Sequence, residues 1–479
     1  MPWLVHYNAP LDVIEGYSWG NEWPIGTYKH PPMQAWLLEI AAFITGRAEW
    51  AHFLLSQIAT VTAFWAVWQT GRRITNETNA LLGVMLLEGI IYFNFTTPEF
   101  NPNVLQTCFW SLIGWSFHRA IKENKALDWT LFGVFGAAGI YSKYSALLFL
   151  GVLTALLVAH PYSRQRLKSY GPYLSVAILL FLLSPHIKWL FDNNFQPFTY
   201  AESRAKVAPH LWQHITQTFG FALSQILAMG AAIVLFLVLA KGKLVRIKGE
   251  YSKSFDAAFL HTVTFAPIII LFALSLVIGM KLRGMWGASL WDFIGLWTVV
   301  NIKHFSDKRS LNNFYKAWIS VFVLLLAIYA GESIISPALT GKGKRTQFPG
   351  QKMAETITET WGNRYNTPIE YVIGDTWLAG NLSFYSPSGK TPQRPHVFIR
   401  GDLSISQWID LKDVKNNGGI IVWCNEHCSD PGYAQSIPSY LYKKFPAAEI
   451  QQPLTFAWQT SYPVIPVVMG WAIVPPEGK

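Results

Sequence analysis

A closely spaced pair of carboxylates, a Lys-His pair and a double proline lie within the first 32 residues of the chain. Asp12 and Glu15 are three residues apart, and Lys29 and His30 immediately precede the two prolines. A carboxylate can take the proton of an attacking hydroxyl group, and basic side chains can hold a phosphate. This segment is too polar to span a bilayer, and we interpret it as a candidate active site.

The neighbouring residues indicate how these groups would be positioned. On a helical turn, Asp12 and Glu15 would share one face because they are three residues apart. Tyr17, Trp19 and Trp23 follow them, and such aromatic side chains favour a membrane interface. The double proline stiffens the chain as it enters the next element. Solvated loop acids are the simpler interpretation, but the nearby TYKHPP segment favours a site at the lip of a membrane bundle.

The composition is that of a polytopic membrane protein. Of the 479 residues, 51% are apolar and 14% are charged, against about 25% charged in an ordinary soluble domain. Up to about residue 336, apolar runs recur that are long enough to cross roughly 30 Å of hydrocarbon. We predict about ten spans, at 50–69, 80–96, 104–118, 128–140, 143–159, 172–190, 217–240, 257–280, 286–301 and 314–336.

Beyond residue 340 the composition becomes that of a soluble domain. Short apolar runs (YVIG, HVFIR and GIIVWC) alternate with Gly, Pro and Asn turns, which is typical of strands. The predicted fold class is a polytopic α-helical membrane protein with a C-terminal soluble α/β domain. Its expected parts are an exported catalytic loop at 1–49, a transmembrane domain at 50–336 and an exported soluble domain at 340–479.

Lys and Arg residues are distributed unevenly between alternate loops. The loops at 70–79, 119–127, 160–171, 241–256 and 302–313 carry 16 of them, and the opposite loops carry five. Because cytoplasmic loops are enriched in Lys and Arg, this bias predicts that the first loop and the C-terminal domain are exported. The net charge of +10 is then mainly a topology signal and does not favour nucleic-acid binding.

The N-terminal segment lacks the basic and apolar regions of a signal peptide. A loop that reaches the exported face needs a segment to carry it there. We therefore expect that the natural protein has a further membrane span upstream of Met1.

The three cysteines leave several alternatives open. Cys108 lies in a predicted span and is expected in the core. Cys424 and Cys428 lie in the CNEHC segment, where they could be free thiols, a disulfide in an oxidising compartment, or part of a zinc site with His427. Two Cys and one His are not a complete zinc ligand set. No cofactor is predicted, although Asp12 and Glu15 could bind a divalent metal.

Several blocks of the chain together resemble a known family. The first is LDVIEGYSWGNEWPIGTYKHPPMQAWLLE, followed by EFNPNVLQTCFW, GAAGIYSKYSALLFL, SPHIKWLFDNNFQPFTYAESR, FPGQKMAE and YVIGDTWLAGNLSFYSP. They resemble the GT-C glycosyltransferases of family 39, and the spacing in the first block is closest to the bacterial branch that adds galacturonic acid or aminoarabinose to lipid A and core. The resemblance covers most of the chain.

This resemblance implies inverting sugar transfer from a polyprenyl-phosphate donor to a glycolipid or protein acceptor. The implied base is a carboxylate of the first loop, either Asp12 or Glu15, and we favour Asp12. Developing charge on the leaving phosphate requires cations in place beforehand. Positions that match basic residues of the family blocks are Lys29, His30, Lys143 and Arg204.

Three further residues are expected to bind substrate, namely Tyr28, Asn101 and Asn103. Asn103 stands where relatives usually have an acid, and its amide could bond a sugar hydroxyl. The segment from Asn101 to Asn103 could instead be a turn before a helix. Lys143 interrupts an apolar stretch, so it is either functional or extends to the interface.

The expected location is the bacterial inner membrane, with the active site and the C-terminal domain in the periplasm. Within the family, a protein O-mannosyltransferase-like enzyme is the alternative. From a different class, a lipid or solute transporter would need polar groups near the midplane and broken helices. The candidate charged residues cluster near the exported surface instead. A membrane scaffold without activity is a third alternative.

Overall fold

The computed structural model describes residues 5–242, 245, 254–304, 307–386, 394–428 and 438–477. The chain forms two compact units. The first, which we call the sheet unit, comprises Met1–Pro24, Ala35–Phe53 and Ala327–Lys479; the second, the helical unit, comprises Ile25–Gln34 and Leu54–Leu326. Part of the predicted 241–256 loop lies outside the described residues, including Lys243, Arg246, Lys248 and Lys253.

Helices make up most of the helical unit. They are Glu77–Leu87, Pro102–Glu123, Ala126–Ser142, Ala146–Ala159, Pro161–Arg164, Gly171–Asp192, Gln196–Ala205, Leu211–Ala228, Gly230–Leu239, Phe255–Ile278 and Ile294–Asn301. Among the described residues, 3₁₀ segments connect them at Ile91–Phe93, Gln165–Lys168 and Gly284–Trp291. Helices that include residues of both units are Met33–Thr45, Ala51–Ile74 and Lys308–Thr340.

Four described helices are long and apolar enough to cross a membrane: Ala51–Ile74, Gly171–Asp192, Phe255–Ile278 and Lys308–Thr340. Two bent pairs also qualify if each pair forms one span, which brings the number among the described residues to six. The pairs are Ala146–Ala159 with Pro161–Lys168, bent by 86°, and Leu211–Ala228 with Gly230–Leu239, bent by 52°. The count of about ten spans therefore stays a prediction.

Three of the predicted spans are not continuous helices, including the run at 217–240, which the 52° bend between Leu211–Ala228 and Gly230–Leu239 divides. The run at 80–96 is helical only to Leu87, and the run at 286–301 is divided between a 3₁₀ segment and helix Ile294–Asn301. Asp292 lies at this break, where its carboxylate accepts a hydrogen bond from Ser111 at 3.0 Å. Irregular backbone is tolerated at membrane depth where it is buried in protein. Burial of Asp292 in protein thus explains the break at 286–301, which the hydropathy of the sequence could not show.

The described strands form one mixed sheet in the sheet unit. They are β1 (Tyr371–Gly374), β2 (His396–Ile399), β3 (Gly419–Glu426), β4 (Glu449–Ile450), β5 (Leu454–Phe456) and β6 (Val467–Val474). The strand order is β2-β1-β3-β6-β4, with β5 paired to β6. Strand β1 is parallel to β2 and β3, whereas β6 is antiparallel to β3, β4 and β5.

Helices Gly350–Tyr365, Thr376–Tyr385, Leu411–Asn417 and Ser439–Lys444 accompany this sheet. Some of its apolar residues, including Ile373, Phe398 and Ile421, pack into a hydrophobic core cluster. All three predicted apolar runs are strands: YVIG is β1, HVFIR contains β2 and GIIVWC lies in β3. The predicted fold class, membrane helices with a C-terminal α/β domain, is confirmed.

The cysteines of the CNEHC segment form a disulfide between Cys424 and Cys428. Of the three alternatives open from the sequence, the structure therefore contains the disulfide. Cys108 is a free, buried thiol, as expected for a residue in the core.

Candidate active site

The two candidate bases lie on a short helix, Leu11–Gly20, which we call the acid helix. Asp12 is in its first turn, where a carboxylate is stabilised by the helix dipole. Glu15 lies one turn later and is buried, with 5% of its surface exposed, whereas Asp12 is partly exposed. The two acids therefore share a helix but differ in access to solvent.

Residues of the C-terminal domain hold the acid helix. The backbone N–H of Ala9 donates to the hydroxyl of Tyr385 at 2.8 Å, and the ring of Tyr17 stacks on Phe384 at 4.7 Å. Gly380 permits close packing, because a Cβ there would lie 2.6 Å from Ile14 Cγ2. The acid helix is therefore part of the sheet unit and not an independent loop.

The candidate cations come together in the helical unit around the ring of Tyr200. Lys29 Nζ and Arg204 Cζ each lie 6.0 Å from the centre of that ring. His30 and Tyr28 meet the same ring edge-on, at 6.3 and 6.0 Å between centroids. Cations near an aromatic face are stabilised by its negative quadrupole. Tyr200 thus gathers the 28–30 segment and helix Gln196–Ala205 at one place.

Lys143 lies close enough to this group for its charge to lower the pKa of His30, and it binds Asn103. It lies immediately after helix Ala126–Ser142, in extended backbone, and its Nζ donates to Asn103 Oδ1 at 2.6 Å. We call Lys29, His30, Lys143 and Arg204 the basic cluster. Three distant parts of the chain supply it.

Asn101 has a local structural role. Its side-chain oxygen caps helix Pro102–Glu123 by accepting from the backbone N–H groups of Asn103, at 2.9 Å, and Val104, at 3.2 Å. The alternative of a turn before a helix thus describes Asn101. Asn103 differs, because its amide contacts both Lys143 and, at 3.9 Å, the sulfur of Met285.

Thr27 organises the backbone that presents the basic residues. Its hydroxyl donates to the carbonyl of His30 at 2.8 Å and accepts from the N–H groups of His30 and Lys29, at 3.1 and 3.4 Å. Such a hydroxyl turn is a common local motif. The TYKH spacing carries this signal, which the sequence interpretation missed.

The segment before Thr27 rests on helix Gly171–Asp192. Nδ1 of His186 lies 2.7 Å from the carbonyl oxygen of Ile25, and its Nε2 lies 2.9 Å from the hydroxyl of Tyr144. Gly26 leaves room for the indole of Trp189, which a Cβ would approach to 2.3 Å. His186 therefore helps to hold the segment that carries Lys29 and His30.

Burial and like charge together determine the electrostatics of the basic cluster. Burial, and then the charges of Lys29, Lys143 and Arg204, hold the pKa of His30 well below its usual value. An imidazole with a lowered pKa is neutral at pH 7. His30 therefore offers a hydrogen bond rather than the positive charge expected from the sequence, unless an anion binds beside it.

The described residues contain no group of three His, Cys, Asp or Glu side chains placed to hold a metal ion. The chemistry available from the described side chains is proton abstraction by a carboxylate and stabilisation of an anion by Lys and Arg.

Comparison with known proteins agrees with this chemistry. Residues 29–189 match the family model described as dolichyl-phosphate-mannose-protein mannosyltransferase. The lipopolysaccharide core galacturonosyltransferase RgtB of Rhizobium johnstonii is 21% identical over 392 residues, which cover 78% of this chain and 76% of that protein.

Two solved structures have a similar fold along nearly the whole chain. ArnT from Cupriavidus metallidurans bound to undecaprenyl phosphate gives a TM-score of 0.61 at 11% identity, covering 97% of this chain and 94% of that one. The same protein in the apo state gives 0.59 at 10% identity, covering 98% and 94%. With the family match and the curated relative, these findings replace the transporter alternative: the chain is a multi-pass membrane glycosyltransferase with the GT-C fold.

Proposed function

We propose that this glycosyltransferase moves a sugar from a polyprenyl-phosphate donor to lipid A or the lipopolysaccharide core. In this proposal the reaction inverts the anomeric carbon and occurs at the periplasmic face of the bacterial inner membrane. The observation that carries the proposal is the basic cluster, which gathers Lys29, Lys143 and Arg204 around Tyr200 and Asn103. The undecaprenyl phosphate bound to ArnT and the name of RgtB support the donor and the acceptor class.

In the proposed reaction, the acceptor hydroxyl oxygen attacks the anomeric carbon of the donor. The bond between that carbon and the phosphate oxygen breaks, and polyprenyl phosphate leaves with its electron pair. The proton of the hydroxyl passes to Asp12 or Glu15. Lys29, Lys143 and Arg204 stabilise the charge that grows on the leaving phosphate, since preorganised cations favour the transition state over the substrate.

The exposure of the two acids bears on the choice of base. A base must come within hydrogen-bond reach of the acceptor hydroxyl. The partial exposure of Asp12 supports this role, whereas the burial of Glu15 suits an orienting role. We therefore keep Asp12 as the proposed base and Glu15 as its alternative.

Donor binding tests the proposed role of the basic cluster. Lys29→Met and Arg204→Met should each weaken binding of a polyprenyl phosphodiester by roughly 10- to 100-fold, since each removes a charge-assisted hydrogen bond of about 1.5–3 kcal/mol. Lys188→Met is the matched control, because Lys188 is an exposed lysine paired with Asp192 on helix Gly171–Asp192. Unchanged binding by both cluster variants would rule out the proposed phosphate site.

The acceptor can be identified by mass spectrometry of lipid A, core and periplasmic glycoproteins from strains with and without the gene. We expect one sugar to disappear from lipid A or core. Loss from a glycoprotein instead would favour a protein O-mannosyltransferase-like enzyme, which the description of the matching family model supports.

A further inference from the structure

Arg394 is a buried cation of the sheet unit to which the proposed reaction assigns no role. It lies two residues before β2, and only 1% of its side chain is exposed. Removing a guanidinium from water is costly unless it is paired and hydrogen-bonded. The position of Arg394 therefore calls for a partner that compensates this cost.

The partners of Arg394 lie on two helices that precede it by more than 350 residues. Its Nη2 donates to the backbone carbonyl of Tyr17 at 3.0 Å and also pairs with the carboxylate of Glu39. The guanidinium lies 5.2 Å from the centre of the Tyr17 ring. In addition, the backbone carbonyl of Arg394 accepts from the side chain of Asn21 at 3.2 Å.

The carbonyl of Tyr17 belongs to the last turn of the acid helix. It also accepts from the backbone N–H of Asn21 at 3.2 Å, and the last turn carries the negative end of the helix dipole, so a cation there is favourable. The carboxylate of Glu39 pairs with the same Nη2 and compensates the charge of the guanidinium. This contact holds the end of the acid helix rather than a solvent-facing surface.

Two of the Arg394 nitrogens, Nε and Nη1, are buried without a hydrogen-bond partner among the described residues. An apolar side chain would avoid that cost, since a buried ion pair is often no more stabilising than well-packed hydrophobic residues. The stability of the fold alone therefore does not explain a buried arginine at position 394, whereas a requirement to position the acid helix does.

We propose that Arg394 is a positioning residue for sugar transfer. Together with Glu39 it holds the last turn of the acid helix, while Tyr385 holds the backbone at Ala9, just before its start. Asp12 and Glu15 lie between these two attachments, so the C-terminal domain sets where their carboxylates lie. The inference rests on the proposed role of these acids.

The test uses the full chain in lipid nanodiscs, with Arg394→Met, Arg394→Lys and Glu39→Gln. We expect Arg394→Met to lower kcat roughly 100-fold, because a misplacement of about 1 Å can cost that much. The dissociation constant for a polyprenyl phosphodiester should stay within about twofold. Arg394→Lys should recover part of kcat, since an ammonium group retains the charge but cannot reach both acceptors in the same geometry.

Arg364→Met is the matched control. Arg364 forms a two-pronged pair with Glu449 in the same domain, but both side chains are 42% exposed. We expect this variant to keep kcat within about twofold.

Dividing kcat by the fraction of protein that binds donor separates a misplaced acid helix from a loss of folded protein. If kcat per donor-binding molecule is unchanged in Arg394→Met and Glu39→Gln, the proposal is wrong. If Arg394→Met does not fold, Arg394→Lys and Glu39→Gln test the proposal by the same ratio.

Parallel Asp12→Asn and Glu15→Gln variants separate the proposed base role of these acids from the proposed positioning role of Arg394. Full activity in both would overturn the proposed base and this inference together, whereas loss in either one with a normal Arg394→Met would overturn this inference alone.

Discussion

Asp12 and Glu15 have the same chemistry but different surroundings. Both lie on the acid helix, one turn apart, yet Glu15 is buried and Asp12 is partly exposed. A partly exposed carboxylate can meet an incoming acceptor, whereas a buried one orients its neighbours. The two positions are therefore best distinguished by isosteric amides, which remove the base and keep the shape.

We predict that Asp12→Asn lowers kcat by 10²- to 10⁴-fold, the usual contribution of a general base. Glu15→Gln should have the smaller effect if its role is orientation. Donor binding should change little in either variant, since neither acid belongs to the basic cluster. The measurement is single-turnover sugar transfer with a fixed donor. Near-normal transfer by both variants would place the base elsewhere, and a larger loss in Glu15→Gln would exchange the two roles.

His30 leads to a prediction about pH. Burial and the three neighbouring cations lower its pKa in the free protein, and a bound phosphate diester would raise that pKa. The bound state then holds more protons than the free state, so donor affinity should increase as pH falls through the bound-state pKa of His30.

The measurement is the dissociation constant of a nonhydrolysable polyprenyl phosphodiester between about pH 5.5 and 8, from roughly one unit below to 1.5 units above the usual His pKa. The phosphodiester itself does not titrate in this range. His30→Gln should bind with a flatter pH profile. An equal slope in the variant would assign the pH dependence to another group.

At the scale of elements, short-range contacts hold both the segment that carries Lys29 and His30 and the acid helix. Thr27 closes the turn that carries Lys29 and His30. Gly380 allows helix Thr376–Tyr385 to approach the acid helix closely, since a Cβ there would also lie 2.8 Å from Ser18 Oγ. A larger side chain at Gly380 would separate the two helices.

Gly380→Ala should therefore destabilise the protein by about 1–3 kcal/mol, the usual cost of overpacking, and should lower both the melting temperature and kcat. Gly362→Ala is the matched control. Gly362 is also helical, but a Cβ there would meet nothing within 4 Å, so alanine should raise helix stability slightly. Equal melting temperatures for the two variants would show that the close approach at Gly380 has no energetic consequence.

For the whole molecule, the remaining question is which compartment each loop faces. The charge bias of 16 to five between alternate loops favours a periplasmic C-terminal domain, and the disulfide between Cys424 and Cys428 suits an oxidising compartment. These two observations are independent, because one depends on loop charge and the other on thiol chemistry.

We predict that an alkaline phosphatase fused after residue 400 is active, and that one fused within 241–256 is inactive. The enzyme needs export to form its own disulfides, so its activity reports the compartment. A reporter that is active only in the cytoplasm provides the reciprocal control at both positions. The opposite pattern would place the C-terminal domain in the cytoplasm and contradict the proposed periplasmic site.

The sequence alone was sufficient for features that depend on local pattern. Apolar runs indicate membrane helices because the hydrocarbon core demands them, and the YVIG, HVFIR and GIIVWC runs are strands of the C-terminal sheet. The family resemblance was also visible in short blocks, and the comparison with solved structures confirms the fold that this resemblance implied. The adjacency of Lys29 and His30 made a basic site plausible before any contact was known.

Other features depend on contacts between distant residues, which periodicity does not encode. Tyr200 is 171 residues from Lys29 in the chain, and their proximity exists only because helices pack. The lowered pKa of His30 follows from burial and from charges brought near by folding. Likewise, the breaks at Leu87 and Asp292 lie in apolar runs that hydropathy counts as continuous. Arg394 lies in a polar stretch, and only the tertiary structure places its guanidinium on the last turn of the acid helix.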